Sequence, residues 1–373
     1  MKFICLQENL KRGLAIVSHI NNKNINLPIL NNVLIRANDN GIELISTNLE
    51  IGITHQLRGK LEEPGESTVD AKIISDYVNL LPAEKIELKE FEDGIDIKCG
   101  NYKTKIKGES SKEFPLIPLI DKDKFCELNI FDFRKALNSV AFAVANNDNR
   151  MELSGVFFQF QDNFLTMAST DSYRLAERKI NIKNGNIEDV KIIIPAKTIQ
   201  EILRIISGNG IDAQNIESDV LKIYLSENQI LFSFDSVELI SRLISGQYPD
   251  YKQIIPDKYK TEVEVKRQDL IRAIKASAIF SKAGVYDISL IFKKSVINVY
   301  SSSGQSGESS IDLSGDVSGD DNDITVNYRY LLDGLNIIDS DQVILKIINS
   351  STPCALISKD DENYLYIVMP IRN

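Results

Sequence analysis

Residues that build metal and thiol chemistry are scarce: two histidines, His19 and His55, and four cysteines, Cys5, Cys99, Cys126 and Cys354, none in a C-x-x-C pair. Zinc centres need clustered thiolate and imidazole ligands, so no metal is expected and the cysteines read as buried, reduced thiols. Neither histidine has a Cys or Ser motif to partner it, which excludes the usual nucleophile and base arrangements. Apolar runs such as Val140 to Ala145 stop far short of the roughly 20 residues that span a bilayer. The first residues, Met1 to Glu8, turn polar too soon for a secretory signal, so a cytoplasmic protein without a membrane partner is expected.

Phosphate-loop and nucleophile-elbow patterns are missing too. Ser301–Ser310 holds Gly304 and Gly307 but neither G-x-x-x-x-G-K-[ST] nor G-x-S-x-G, and reads as a flexible hairpin. Asp320-Asp321-Asn322-Asp323 follows Ser- and Gly-rich sequence and reads as a solvated turn rather than a cation site. No catalytic residue and no cofactor is expected.

What is present is length and repetition. The chain has 373 residues, 43% of them hydrophobic, and a net charge of −10. That length favours two or three domains, and the acidic total does not exclude a polyanionic partner, because the placement of basic groups decides.

One pattern recurs about every 120 residues. Each copy opens with an amphipathic helix. The first sets Leu10, Leu14 and Val17 against Lys11, Arg12, Ser18 and His19. The second has Asn129 as N-cap and a stripe of Ile130, Phe133, Leu137, Val140 and Val144, flanked by Arg134, Lys135 and Asn138. The third sets Leu270, Ile274 and Ala278 against Arg272, Lys275 and Lys282. All three are basic on the polar side.

Alternating strands follow each helix: 34–37 and 41–45, then 156–160 and 164–167, then 289–292 and 296–300. Ser46-Thr47-Asn48 and Ser169-Thr170-Asp171 occupy the same place after the second strand. A second helix is expected over 72–81, 197–206 and 328–338. Lys72, Asp76 and Asn79 share a face, as do Lys197, Gln200 and Arg204, and Arg329, Asp333 and Asn336.

Proline-bearing connectors, Glu113-Phe114-Pro115-Leu116-Ile117-Pro118 and Gln247-Tyr248-Pro249-Asp250-Tyr251, set boundaries near 120 and 250. The absence of a βαβ rhythm indicates an α+β fold of three repeated modules, 1–120, 121–250 and 251–373, each with two helices packed on antiparallel sheet. Basic helices gathered on one side would attract a phosphate backbone without reading its sequence. Asn101–Gly108 alternates Tyr102, Thr104 and Ile106 with Lys103, Lys105 and Lys107, as a protected edge strand does.

At Ser169–Ala176, Tyr248-Pro249-Asp250-Tyr251 and Val368-Met369-Pro370-Ile371-Arg372 the sequence resembles the bacterial sliding clamp, the beta subunit of the replicative DNA polymerase III. The motifs occur in the family's order, and the repeat extends the resemblance over the whole chain. It implies a homodimeric ring, each chain forming half, closed around duplex DNA as a processivity factor of replication. The implied partners are the replicative polymerase, the clamp loader and other proteins with a clamp-binding motif.

The same resemblance implies a peptide cleft built from Leu153, Thr170, Tyr173, Arg174, Leu175, Pro249, Ile254, Ile367, Met369, Pro370, Ile371 and Arg372. Aliphatic side chains there would make a floor and arginines would anchor polar groups. Ser172 stands where the family commonly has glycine, and Gln253 where some members have a basic residue.

Thr104 and Ile106 are implied to meet Ile279 and Phe280 of a second chain. The DNA-facing set is Lys11, Arg12, Lys23, Asn24, Lys72, Arg134, Lys135, Asn147, Lys197, Arg204, Arg272 and Lys275, with Asn24 and Asn147 resting on the resemblance. The competing expectation is a repeat scaffold that binds proteins without encircling DNA; salt-dependent DNA association separates the two.

Overall fold

A computed structural model describes residues 1–20, 27–145, 150–209 and 218–371. Lys23, Asn24, Asn147 and Arg372 therefore lie outside the described residues. Six α-helices occur among those described: α1 (Gln7–Val17), α2 (Ala71–Leu80), α3 (Ile130–Ala141), α4 (Ala196–Arg204), α5 (Arg267–Ala278) and α6 (Tyr328–Ile337). Each is preceded directly by a strand.

The expected helices are all present, two per repeat. Leu10, Leu14 and Val17 of α1 are buried, as are Ile130, Phe133, Leu137 and Val140 of α3 and Leu270 and Ile274 of α5. Asn129 caps α3, its Oδ1 accepting from the N–H groups of Phe131 and Asp132 at 2.9 and 3.2 Å. Asp70 caps α2 in the same manner through Ile73 N–H, satisfying a donor that the first helical turn leaves free. α4 ends earlier than its apolar pattern suggests, passing into a wider turn over Ile205–Asn209 in which Gly208 takes φ +142°.

Two compact units emerge, and their boundaries differ from the module boundaries that the connectors suggest. The first comprises Met1–Arg134, Ile182–Glu188 and Lys197–Leu243, the second Lys135–Asn181, Asp189–Ala196 and Ile244–Asn373. Long-range strand pairing is the reason. In the first unit Ile51–Leu57 pairs antiparallel with Val237–Arg242, so strands of the first and second repeats share one fourteen-stranded sheet. In the second unit Arg174–Asn181 pairs with Tyr364–Val368, joining the second repeat to the third in a nine-stranded sheet. A separate four-stranded sheet in that unit runs in the order Gly307–Ser314, Val296–Ser303, Asp287–Lys293, Asn322–Asn327.

The last of these strands corrects a sequence reading: Asn322 and Asp323 begin a strand, and Asn322 Nδ2 donates to Thr261 Oγ1 and to the Ile348 carbonyl. Ser301–Ser310 is a hairpin, with the two strands paired out to Ser303 and Gly307.

The lysine-bearing strand is Tyr102–Glu109. It pairs along Gly94–Cys99 on one side, while on the other only Gly108 and Glu109 meet Val69 and Thr68. Gly108 makes this junction possible, because a Cβ there would collide with the Thr68 carbonyl oxygen. Tyr102 to Lys107 thus remain an open edge, as expected, but Ile106 is 6% exposed and its side chain belongs to the core.

All four cysteines are buried and unpaired. Burial raises the pKa of each thiol, that of Cys5, Cys126 and Cys354 to about 12. No helix of the described residues is long and apolar enough to cross a membrane.

Candidate functional site

The second unit brings together three segments that are far apart in sequence. The first is a turn after the strand Phe164–Thr170. Thr170 Oγ1 donates to the Arg174 carbonyl and accepts from Ser172 N–H, while Asp171 Oδ1 accepts from the N–H groups of Tyr173 and Arg174. Short polar side chains that bond their own backbone favour such a turn. Ser172 closes it at φ +77°, a left-handed conformation that explains why glycine suits the position. Ser169 Oγ donates to the carbonyl of Val140, tying the strand end to the last turn of α3.

The second segment is the connector around Tyr248 and Tyr251. Both rings are buried against Phe157, Tyr248 stacked at 4.9 Å and Tyr251 edge-on at 6.0 Å. The third is the terminal strand. Ile367 lies opposite Leu175 in register, and beyond it Met369 N–H donates to the Tyr173 carbonyl at 2.9 Å. Pro370 bridges to Val326, and Ile371 N–H reaches the Thr325 carbonyl at 2.8 Å.

Leu153, Leu175 and Ile367 meet in one apolar cluster with Phe157, Tyr248 and Tyr251. Thr170 is buried at the end of its strand, and Pro249 lies in the connector between the two tyrosines. Tyr173 is exposed and stacks at 6.4 Å on Tyr330 of α6. A cavity of about 400 Å³ opens beside the connector, lined by Phe157, Ile193, Tyr248, Pro249 and Tyr251 among others.

Two expected residues behave differently. Ile254 stands in a short turn, 38% exposed, and its neighbour Ile255 packs on the cluster instead. Arg174 is not a free anchor: Nε donates to Asp171 at 2.9 Å, Nη1 to Asp333 at 2.5 Å and Nη2 to the Phe142 carbonyl at 2.9 Å, with Tyr330 stacked 4.7 Å beneath. Its fork fixes the turn against α6 and holds Asp333 in place. Phe157, Tyr248, Tyr251, Tyr330 and Asp333 carry much of this geometry and were not singled out as site residues. The Tyr-Pro-Asp-Tyr motif and the alternation 156–160 were the signals for the first three; nothing local marks the α6 pair.

Among the basic side chains, Lys11, Lys72, Lys197, Arg272 and Lys275 are exposed. Arg272 pairs loosely with Asp269 at 3.6 Å, and Lys135 with Asp339 at 3.0 Å. Arg12 reaches Asp235 at 3.4 Å, and Arg134 lies 5.7 Å from the Phe131 ring. Arg204 is committed: it bonds Glu201 and donates to the carbonyls of Ala15 and Ile16 at the end of α1, where a cation favourably meets the helix dipole. His19, in the turn following α1, lies 2.8 Å from Glu201.

Three family models of the DNA polymerase III beta subunit match the chain: the N-terminal domain at 1–118, the central domain at 127–250 and the C-terminal domain at 252–372. Over 357 residues the chain is 29% identical to the Beta sliding clamp of Staphylococcus epidermidis, covering 93% of this chain and 92% of that one. Among solved structures it superposes on a putative DNA polymerase III beta subunit from Eubacterium rectale with TM-score 0.91 and 29% identity, covering 100% and 99% of the two chains. It also matches a sliding clamp from Bartonella birtlesii bound to griselimycin, with TM-score 0.92, 25% identity and full coverage of both chains.

Proposed function

The chain belongs to the DNA polymerase III beta-subunit family, the bacterial sliding clamps, and from that premise we propose how its residues perform the work of a replication processivity factor. Three modules, 1–120, 121–250 and 251–373, form half of a ring that two chains close around duplex DNA in the cytoplasm. The ring tethers the replicative polymerase, the clamp loader and repair proteins through their linear motifs.

The observation that carries the reading is the convergence of residues 170–175, 248–251 and 367–371 on one apolar cluster. Leu153, Leu175 and Ile367, all buried, form the apolar layer beneath the cleft, and Tyr173, Pro249, Ile254 and Met369 to Ile371 its rim. Arg372, outside the described residues, is assigned to the cleft by the resemblance alone. Arg174 acts as a positioning residue rather than a ligand, since its donors are already engaged. Burial of a few apolar anchors in a preformed site suits short peptides, which bring little area and must lose little freedom.

For DNA, the exposed Lys11, Lys72, Lys197, Arg272 and Lys275 offer positive charge from helices of all three modules, and α1 and α3 also carry Arg12, Arg134 and Lys135. Lys23, Asn24 and Asn147, outside the described residues, are assigned to DNA from the sequence alone. Contacts of this kind to phosphates release counterions and ignore base sequence. Arg204 acts within the fold.

For the dimer, the open edge Tyr102–Lys107 of one chain and the hairpin edge Gly307–Ser314 of another are suited to pair. The first presents Lys103, Lys105 and Lys107, the second Glu308 and Asp312, both exposed. Thr104 lies on that edge, and Ile279 is 72% exposed beside Phe280 at the end of α5. Ile73 and Leu80 of α2 add exposed apolar surface. Ile106 contributes backbone only.

Retention on DNA tests the reading. The clamp is loaded on nicked circular or linear duplex and washed in salt that strips electrostatic binders. Retention on circles with loss from free ends is expected; equal loss from both overturns encirclement.

A further inference from the structure

The first unit contains a groove built on the same plan as the cleft of the second. It lies against the first connector, residues 110–122, and has a volume of about 440 Å³. Leu30, Leu34, Ile45 and Phe114 cluster there as Leu153, Phe157, Ala168 and Tyr248 do in the cleft. The register is the same: Leu34 lies opposite Ile45 and Phe157 opposite Ala168. Ile240 faces Gly52 as Ile367 faces Leu175. The turns match as well, since Thr47 Oγ1 donates to the Ile51 carbonyl and Asn48 Oδ1 accepts from Glu50 and Ile51 N–H.

The differences show what the groove could hold. Where the cleft has Leu175 the groove has Gly52, and Ile117 of the connector occupies the freed space. After Pro249 the second connector folds into a hydrogen-bonded turn, but the first has no regular structure from Pro115 to Ile120. The N–H groups of Leu116, Ile117, Leu119 and Ile120 make no hydrogen bond within the described chain. Leu116 and Leu119 are 90% and 99% exposed on the same stretch. Apolar surface of this kind, beside an unpaired main-chain edge, is suited to an added extended strand.

Charge fixes the partner's chemistry. Around the groove Arg36 pairs with Glu66 and Lys122 with Glu238, leaving Lys112 as the lining cation without a carboxylate among the described residues. We propose that this groove is a second docking site, taking a short extended peptide that carries two or more apolar side chains and one carboxylate, the latter placed at Lys112. The inference rests on the peptide-cleft reading for the likeness of the two sites, but the groove's own occupancy is separately measurable.

The test titrates the full-length dimer with a fluorescent seven-residue peptide carrying two leucines, a phenylalanine and one aspartate, by anisotropy and by calorimetric stoichiometry. Two peptides per chain are expected. Leu116→Glu combined with Leu119→Glu, both at exposed positions that leave the core intact, is expected to weaken one site by at least about tenfold, a loss of a few methyl groups' worth of contact. Met369→Asp is expected to remove the other. Lys112→Glu is expected to weaken the groove about threefold for the aspartate peptide and not for its asparagine analogue. A single site lost with Met369→Asp and indifferent to the connector changes overturns the groove and leaves the cleft standing. A single site lost only with the connector changes keeps the groove and overturns the cleft; no binding overturns both.

Discussion

Leu49 and Ser172, in different repeats, hold the same left-handed backbone, at φ +74° and +77°. Each closes a turn in which a preceding threonine hydroxyl accepts its N–H, at 3.0 and 3.1 Å. The shared strain follows from the shared turn rather than from either side chain, since one is apolar and the other polar. Non-glycine residues tolerate this region at a cost of about 1 kcal/mol. Ser172→Gly is therefore expected to leave folding stability unchanged or raise it by up to about 1 kcal/mol, glycine's extra unfolded-state freedom offsetting part of the relief. Urea unfolding measures this; a loss above that range would show that the Ser172 hydroxyl matters, as its contact with Arg150 at 3.1 Å would then explain.

Arg174→Lys should cost more than its charge suggests. A lysine keeps the charge but cannot reach Asp171, Asp333 and the Phe142 carbonyl together. A loss of about 2–4 kcal/mol in stability is expected, as for a largely buried network with a partner left unpaired, together with weaker peptide binding. An unchanged unfolding midpoint with lost binding would instead make Arg174 a direct ligand.

His55 makes stability depend on pH. Burial, and then the nearby Arg12, push its pKa down from 6.5 to about 4. The folded imidazole stays neutral while the unfolded one takes a proton between pH 6.5 and 4. Its stabilising contribution is complete above 6.5 and declines as the pH falls, by about 2 kcal/mol at pH 5. His55→Asn should flatten the fall in urea midpoint between pH 7 and 5; an identical slope would exclude His55 as its source.

The proposed chain-to-chain contact predicts reciprocal charge changes. Lys103→Glu with Lys105→Glu should shift the sedimentation equilibrium toward monomer, and so should Glu308→Lys with Asp312→Lys. Mixing the two variants should restore a heterodimer, because like charges facing across paired strands repel and opposite ones attract. Dimerisation untouched by either pair would place the contact elsewhere.

Much of this was legible in the sequence, for identifiable reasons. Helix stripes such as Leu10, Leu14, Val17 and the paired strands 156–160 and 164–167 repeat with their own periods, so local patterning exposes them. The Asn129 cap and the turn triplets were visible because short polar side chains act on their own backbone. The joining of Ile51–Leu57 to Val237–Arg242 was not visible, because strand pairing across nearly 200 residues leaves no periodic trace. The sequence does not tell which of Ile254 and Ile255, neighbours of equal hydrophobicity at a short turn, faces the core; in the fold Ile254 is exposed and Ile255 packs on the cluster. Arg204 looked like a free helix-surface cation; only the fold brings the carbonyls of Ala15 and Ile16 to it.

The buried thiols have a practical consequence. A maleimide or a spin-label reagent attacks through thiolate, and none of Cys5, Cys99, Cys126 and Cys354 offers an exposed sulfur or a lowered pKa. The native chain is thus a silent background for such reagents. One engineered surface cysteine would carry the whole signal, so distances and motions could be followed in an assembled ring without first stripping its own cysteines away.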